Sequence, residues 1–164
     1  MKSLGTGRRF NHMTICENGE GQHVGTLAEI EFSRFLIMSN VQHAWSACDK
    51  GPYDFAVMDI SGRMVGIDVK AKKRNVPPSH SQDAHVTCDQ ELYECHVYVF
   101  YSVTDDKPTA MGWIGKGDFW RDCRRVRKGD RDGSFEEHVD AGKMKYSELK
   151  PMTDLLGYLK SCWE

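Results

Sequence analysis

Apolar residues recur along this chain at two periods, and the change of period divides it into elements. Between positions 26 and 39, Ala28, Phe32, Phe35 and Leu36 fall on one face at helical spacing, which predicts a helix ending near Asn40. Ahead of it, residues 1–22 are polar, carry several glycines and read as an irregular arm. A short strand is expected at 42–46, a turn at Asp49-Lys50-Gly51-Pro52, and two further strands at 54–60 and 64–72 joined by a tight Ser61-Gly62 hairpin. Residues 74–84, with Pro77-Pro78, read as a loop, 87–95 as a short second helix, and 97–103 as a strongly β-prone strand. Asp105-Asp106-Lys107-Pro108 turns that strand into another at 109–114, and Gly117 to Trp120 opens a small helix. Residues 128–133 read as an exposed loop, and Leu155, Leu156 and Leu159 share a face of a last helix at 152–159. The pattern describes one domain over residues 23–164, with an extension after about position 115.

One strand breaks its own pattern. Met64-Val65-Gly66-Ile67 and Val69 describe a buried strand, yet Asp68 sits inside it, and a buried carboxylate is costly unless a cation meets it. Residues two apart on a strand share a face, so Asp68, Lys70 and Lys72 line up while Ile67, Val69 and Ala71 face the other way. Counting back through the hairpin sets Asp54 opposite about residue 69, close enough to Asp68 to share a cation.

Two carboxylates with water in the remaining positions suit Mg²⁺, with Mn²⁺ as a substitute; the absence of His and Cys from the patch argues against zinc there. Such a metal polarises a phosphodiester, lowers the pKa of a bound water and steadies the departing oxygen. Lys70, beside two anions, is expected to stay charged, orienting water and neutralising phosphate, with base work open to it where a bound metal outweighs the carboxylates. Lys72, Lys73 and Arg74 extend directly from this face, placed to meet backbone phosphates beside such a site.

Composition narrows the partners. The chain has 164 residues, 40% of them hydrophobic, enough to bury a core, and a formal net charge of −2 that excludes an overall basic coat. Basic residues nevertheless crowd locally at Arg121, Arg124, Arg125, Arg127, Lys128 and Arg131, which form either a second phosphate track or a solvated loop. No apolar run approaches the roughly 18 residues of a membrane span, and the first residues lack a signal-peptide core, so an intracellular, non-secreted protein is expected. The six cysteines are scattered, and no disulfide framework is expected. His80, His85, Cys88, Cys95 and His96 lack paired metal-ligand spacing, and nothing calls for an organic cofactor. Trp113 and Trp120 read as core residues more readily than as base-stacking platforms.

Taken together, Gly25-Thr26-Leu27-Ala28-Glu29, Pro52-Tyr53-Asp54 and Asp68-Val69-Lys70 resemble the motifs of the PD-(D/E)XK nucleases, over about residues 25–103. The resemblance implies a restriction-endonuclease-like α/β core, αβββαβ in order, with a mixed central sheet flanked by helices. It implies a Mg²⁺-dependent DNA endonuclease in which Asp54 and Asp68 hold metal, the Val69 carbonyl assists, and Lys70 meets the attacking water. Glu29 would be a third acid, borne on the helix, and the products would carry 5′-phosphate and 3′-hydroxyl ends. The Gly-x-x-Ala-Glu opening looks most like archaeal-type Holliday junction resolvases, which implies branched or recombining DNA as substrate and a homodimer. Restriction-like, homing or repair cleavage of duplex DNA is the alternative enzyme, and a non-cleaving DNA-binding or interaction module the alternative class. Thr26-x-x-Glu29 also fits a capping box, and Glu31 is the rival acid on the same helix.

Overall fold

A computed structural model describes residues 20–45, 52–58, 62–132 and 135–161 of the chain. The first helix, α1 (Glu20–Met38), buries Val24, Ala28, Phe32 and Leu36 along one stripe. It starts a turn and a half before the position the apolar spacing suggested, so its opening residues come from the expected arm, the rest of which lies outside the described residues. Thr26 is therefore inside the helix, where its hydroxyl donates to the Gln22 carbonyl four residues back at 2.9 Å; the capping-box reading is overturned.

Three strands follow, β1 (His43–Trp45), β2 (Phe55–Met58) and β3 (Met64–Lys73), each antiparallel to the next. The register pairs Phe55 with Ile67, so Asp54 lies level with Asp68, one residue from the expected position. β5 (Val97–Thr104) runs parallel to β3, and β6 (Lys107–Gly115) folds back antiparallel on β5. The central sheet is thus mixed, in the order β1-β2-β3-β5-β6. Its β5–β6 hairpin carries a register shift between Phe100 and Tyr101 near Gly112, whose φ of 140° and close approach to the Lys150 carbonyl demand glycine.

The two faces of this sheet have different covers. On one, Ile67, Val69, Val97, Val99 and Tyr101 pack against Ala28, Phe32 and Leu36 of α1 and against Leu155 and Leu159 of α3 (Met152–Ser161). The Phe32 ring meets Phe55 edge-on at 5.1 Å. On the other face, Tyr98 and Phe100 pack against Phe119 and Trp120 of α2 (Lys116–Asp122) and against a second sheet. That sheet is antiparallel and ordered β4-β10-β7, from β4 (Asp83–Thr87), β7 (Arg124–Val126) and β10 (Ala141–Lys145). A short ribbon of β8 (Arg131–Asp132) and β9 (Phe135–Glu136) extends from the expected 128–133 loop.

The mixed α/β sheet with flanking helices is as expected, but the second helix is not. Residues 87–95 form only one 3₁₀ turn, Cys88–Leu92, with no buried residue, and the segment before it is strand β4. Ala84 and Val86 alternate with Asp83 and His85, a two-residue period whose partner, β10, lies more than fifty positions further along. No local pattern announces such a pairing.

Candidate active site

Alternation along β3 places Val65, Ile67 and Val69 in the helix-covered core and Asp68 and Lys70 on the opposite face, near Cys95 and Tyr98. Asp68 is 6% exposed, and its Oδ2 lies 2.5 Å from Lys70 Nζ. Tyr98 of β5, level with Asp68, sets its ring 5.8 Å from the same ammonium.

Asp54 reaches the pair from the mouth of β2. Its backbone N–H donates to the Ile67 carbonyl at 3.0 Å, and its Oδ2 accepts from the Val69 N–H at 2.7 Å. The preceding Tyr53 lies flat against β3 because residue 66 is glycine; a Cβ there would stand 2.6 Å from the Tyr53 ring. His96 ties the same glycine from the other side, its Nδ1 accepting from the Gly66 N–H at 2.9 Å. Gly66 is thus the close-approach point that lets Asp54 come level with Asp68.

Burial, reinforced by the neighbouring Asp68, pushes the Asp54 carboxyl up to about 8, against the opposing pull of the Val69 N–H and Lys70. Burial works against charge on Lys70, but Asp68 and Asp54 outweigh it and hold its pKa above the ordinary lysine value. Lys70 is a fixed ammonium, unsuited to act as a free-amine base at neutral pH.

Two buried carboxylates set side by side, one of them with its pKa raised by burial and by the other, form a donor set that a hard divalent cation fits. Val69 contributes as well: a strand residue's carbonyl points to the same side as its own N–H, here the side of Asp54. Among the described residues no three His, Cys, Asp or Glu side chains converge as a ready ligand cluster. Glu29 stands apart, accepting from Trp45 Nε1 at 3.1 Å and acting on Asp54 only as the smallest contributor to its shift. Glu31 faces away toward Arg34, 3.4 Å off.

The expected phosphate-binding residues separate into two groups. Lys72 follows Lys70 on the same face of β3; Arg74, just beyond the strand, donates from Nη2 to the Asp83 carbonyl at 2.8 Å, while Lys73 is exposed on the other side. Burial, Arg74 and Lys143 together lower the Lys72 pKa. The arginine cluster lies on the far edge of the second sheet and is largely engaged within the protein. Arg125 forms a two-pronged pair with Glu91 at 2.7 and 2.8 Å and covers the Trp120 ring at 4.6 Å. Arg121 pairs with Asp118 and Asp122, Arg124 sits in β7, and the Arg127 N–H is held by Asp130 at 2.8 Å. Trp113 and Trp120 are core residues.

Sequence reasoning missed Lys143 and Glu137, a buried ion pair on the second sheet, with His85 Nε2 3.7 Å from Glu137. It also missed Tyr98. Only the alternation of Tyr98 with Val97 and Val99 could have placed that ring beside Asp68; nothing local could have placed Lys143.

No family model matches this chain, and no curated protein matches it. Among solved structures it resembles Hjc, a Holliday junction resolvase from the archaeal hyperthermophile Archaeoglobus fulgidus, at 12% identity and a TM-score of 0.45. The match covers 81% of this chain and 95% of that one. A likeness of that size bears on neither substrate nor chemistry, which have to be argued from the residues themselves.

Proposed function

We propose that this chain is a divalent-metal-dependent DNA endonuclease that hydrolyses backbone phosphodiesters, with branched or recombining DNA as its preferred substrate. The observation that carries the reading is the meeting of Asp54, Asp68 and Lys70 at the centre of a mixed sheet, two acids and a fixed ammonium within one face.

Asp54, Asp68 and the Val69 carbonyl would hold Mg²⁺, or Mn²⁺ in its place, with Glu29 reaching it through water. The metal, when bound, supplies Lewis acidity toward a phosphoryl oxygen and a more acidic water. Lys70 orients the attacking water and neutralises charge that builds on the phosphate. Asp68 holds that ammonium in place, and burial beside Tyr98 keeps the pair in a low dielectric where its field is strong. In-line attack breaks the bond from phosphorus to the 3′ oxygen, leaving a 5′-phosphate and a 3′-hydroxyl. Lys72, Lys73 and Arg74 would bind flanking phosphates, with Arg124, Arg125 and Arg127 as a more distant track.

A four-way junction presents two equivalent strands, so symmetric cutting requires a homodimer. Such a substrate places the protein in a DNA-containing compartment; among the described residues no helix is long and apolar enough to cross a membrane. The direct test incubates wild type, Asp68→Asn and Lys70→Met with labelled four-way junction, linear duplex and single strand, in Mg²⁺ or EDTA. Cleavage in Mg²⁺ that both substitutions abolish is expected. Equal cutting by Asp68→Asn would sink the mechanism, and equal cutting of duplex would keep the chemistry while removing the junction preference.

A further inference from the structure

Beyond Lys70, the charged face of β3 opens into a cleft of about 330 Å³ lined by Lys72, Arg74, Asp83, Phe135 and Lys143. Its cations come from both sheets, Lys72 and Arg74 from the end of β3 and Lys143 from β10, so only the tertiary fold assembles them. The anions at its wall are already taken. Asp83 is held by Lys145 Nζ at 2.8 Å, and Glu137 by the buried Lys143. They offset the remaining cations only at longer range: Lys72 makes no ion pair among the described residues, and Arg74, bonded to the Asp83 carbonyl and to Tyr146, keeps its Nε buried without a hydrogen-bond partner. His85, kept neutral by burial and by Lys72, adds no charge of its own.

We propose that this cleft is a phosphate-binding subsite in which Lys72 Nζ and the Arg74 guanidinium, backed by Lys143, grip one phosphate of the nucleic-acid backbone beside the reaction centre. Crowded cations at a half-buried position repel one another, and an anion with several acceptor oxygens relieves that repulsion by accepting from Lys72 Nζ and the Arg74 guanidinium. The half-exposed Phe135 ring, 5.6 Å from Lys143 Nζ, bounds the cleft with an apolar wall. Because Lys72 lies two residues from Lys70 on one strand face, a gripped phosphate fixes the register of the nucleic-acid strand relative to Asp68 and Lys70. The assignment rests on the nuclease reading for its role, though not for its ligand.

The test measures binding of fluorescent single-stranded and duplex DNA by anisotropy in EDTA across a salt series, with and without a 5′-phosphate. Removing one phosphate-neutralising cation should reduce the log–log salt slope by about 0.7–0.9. Lys72→Gln is expected to show that reduction and Lys72→Arg to restore the wild-type slope, with thermal unfolding of both variants near wild type. A reduction confined to 5′-phosphorylated DNA assigns the cleft to strand ends; an equal reduction on both assigns it to internal phosphodiesters. A wild-type slope in Lys72→Gln, or no DNA binding by wild type, overturns the subsite. Cleavage in Mg²⁺ by the same preparations separates the two ideas, since a reduced slope without any cleavage would keep the subsite and remove the nuclease.

Discussion

The two faces of the central sheet are built from alternate residues of the same strands and meet opposite fates. On the helix side, Ile67, Val69, Val97 and Val99 close against α1 and α3 with apolar contact and no charge to satisfy. On the other side, Asp68 and the Lys70 ammonium are buried beside Tyr98 and Cys95, and Lys72 lies near a second buried ion pair, Lys143 and Glu137. Burying charge costs several kcal/mol per ion before pairing offsets it. The helix side therefore carries stability, and the sheet side holds the buried charges on which the proposed metal and phosphate sites depend.

That contrast can be broken in order of size. Phe32→Ala empties a fully buried site on the helix side and is expected to lower unfolding free energy by about 3–5 kcal/mol in denaturant titration. The surviving folded fraction should cut DNA at the wild-type rate. Asp68→Asn should act on both sides of the comparison, lowering cleavage by about 10²–10³-fold. Its Tm should fall as well, because the buried Lys70 ammonium loses its paired carboxylate, and adding Lys70→Met should restore the Tm while cleavage stays lost; an unchanged Tm in Asp68→Asn would show that the pair carries no buried charge.

Metal addition comes next. Mg²⁺ or Mn²⁺ at a hundred times its Kd should stabilise wild type by about 2.7 kcal/mol, seen as a rise in Tm. The rise should vanish in Asp68→Asn and persist in Phe32→Ala.

The smallest effect concerns His85, held at about 4 by burial and the nearby Lys72, below its ordinary 6.5. The unfolded chain binds this proton first, so its contribution is complete above pH 6.5 and is lost as pH falls toward 4. Wild-type Tm should drop over that window by a few degrees more than that of His85→Gln; parallel curves would remove His85 from the charge balance of the second sheet.

Much of the helix side was legible in the sequence. Ala28, Phe32 and Leu36 at helical spacing, and Leu155 and Leu159 later, announced the covering helices, and the two-residue period of β3 alone separated Ile67 from Asp68. The hairpin at Gly62 set Asp54 within one residue of its true level. The sheet side was not legible in the same way. Strand β4 is five residues long and pairs with β10 far along the chain, so its segment resembles loop and helix when read locally. Helix α1 begins early for a related reason: Val24 is buried by tertiary packing, and the polar residues around it carry no apolar stripe of their own.

The sequence by itself determined that Asp68 and Lys70 share a strand face and that Asp54 arrives beside them, because a strand's period and a hairpin's length are local properties. Only the tertiary structure decided what covers that face, bringing Tyr98 and Lys143 around it and turning a row of basic residues into a cleft with excess positive charge. Burial and electrostatic fields depend on every atom nearby, most of them distant in sequence, so the charge state of Asp54 and the confinement of Lys72 belong to the fold.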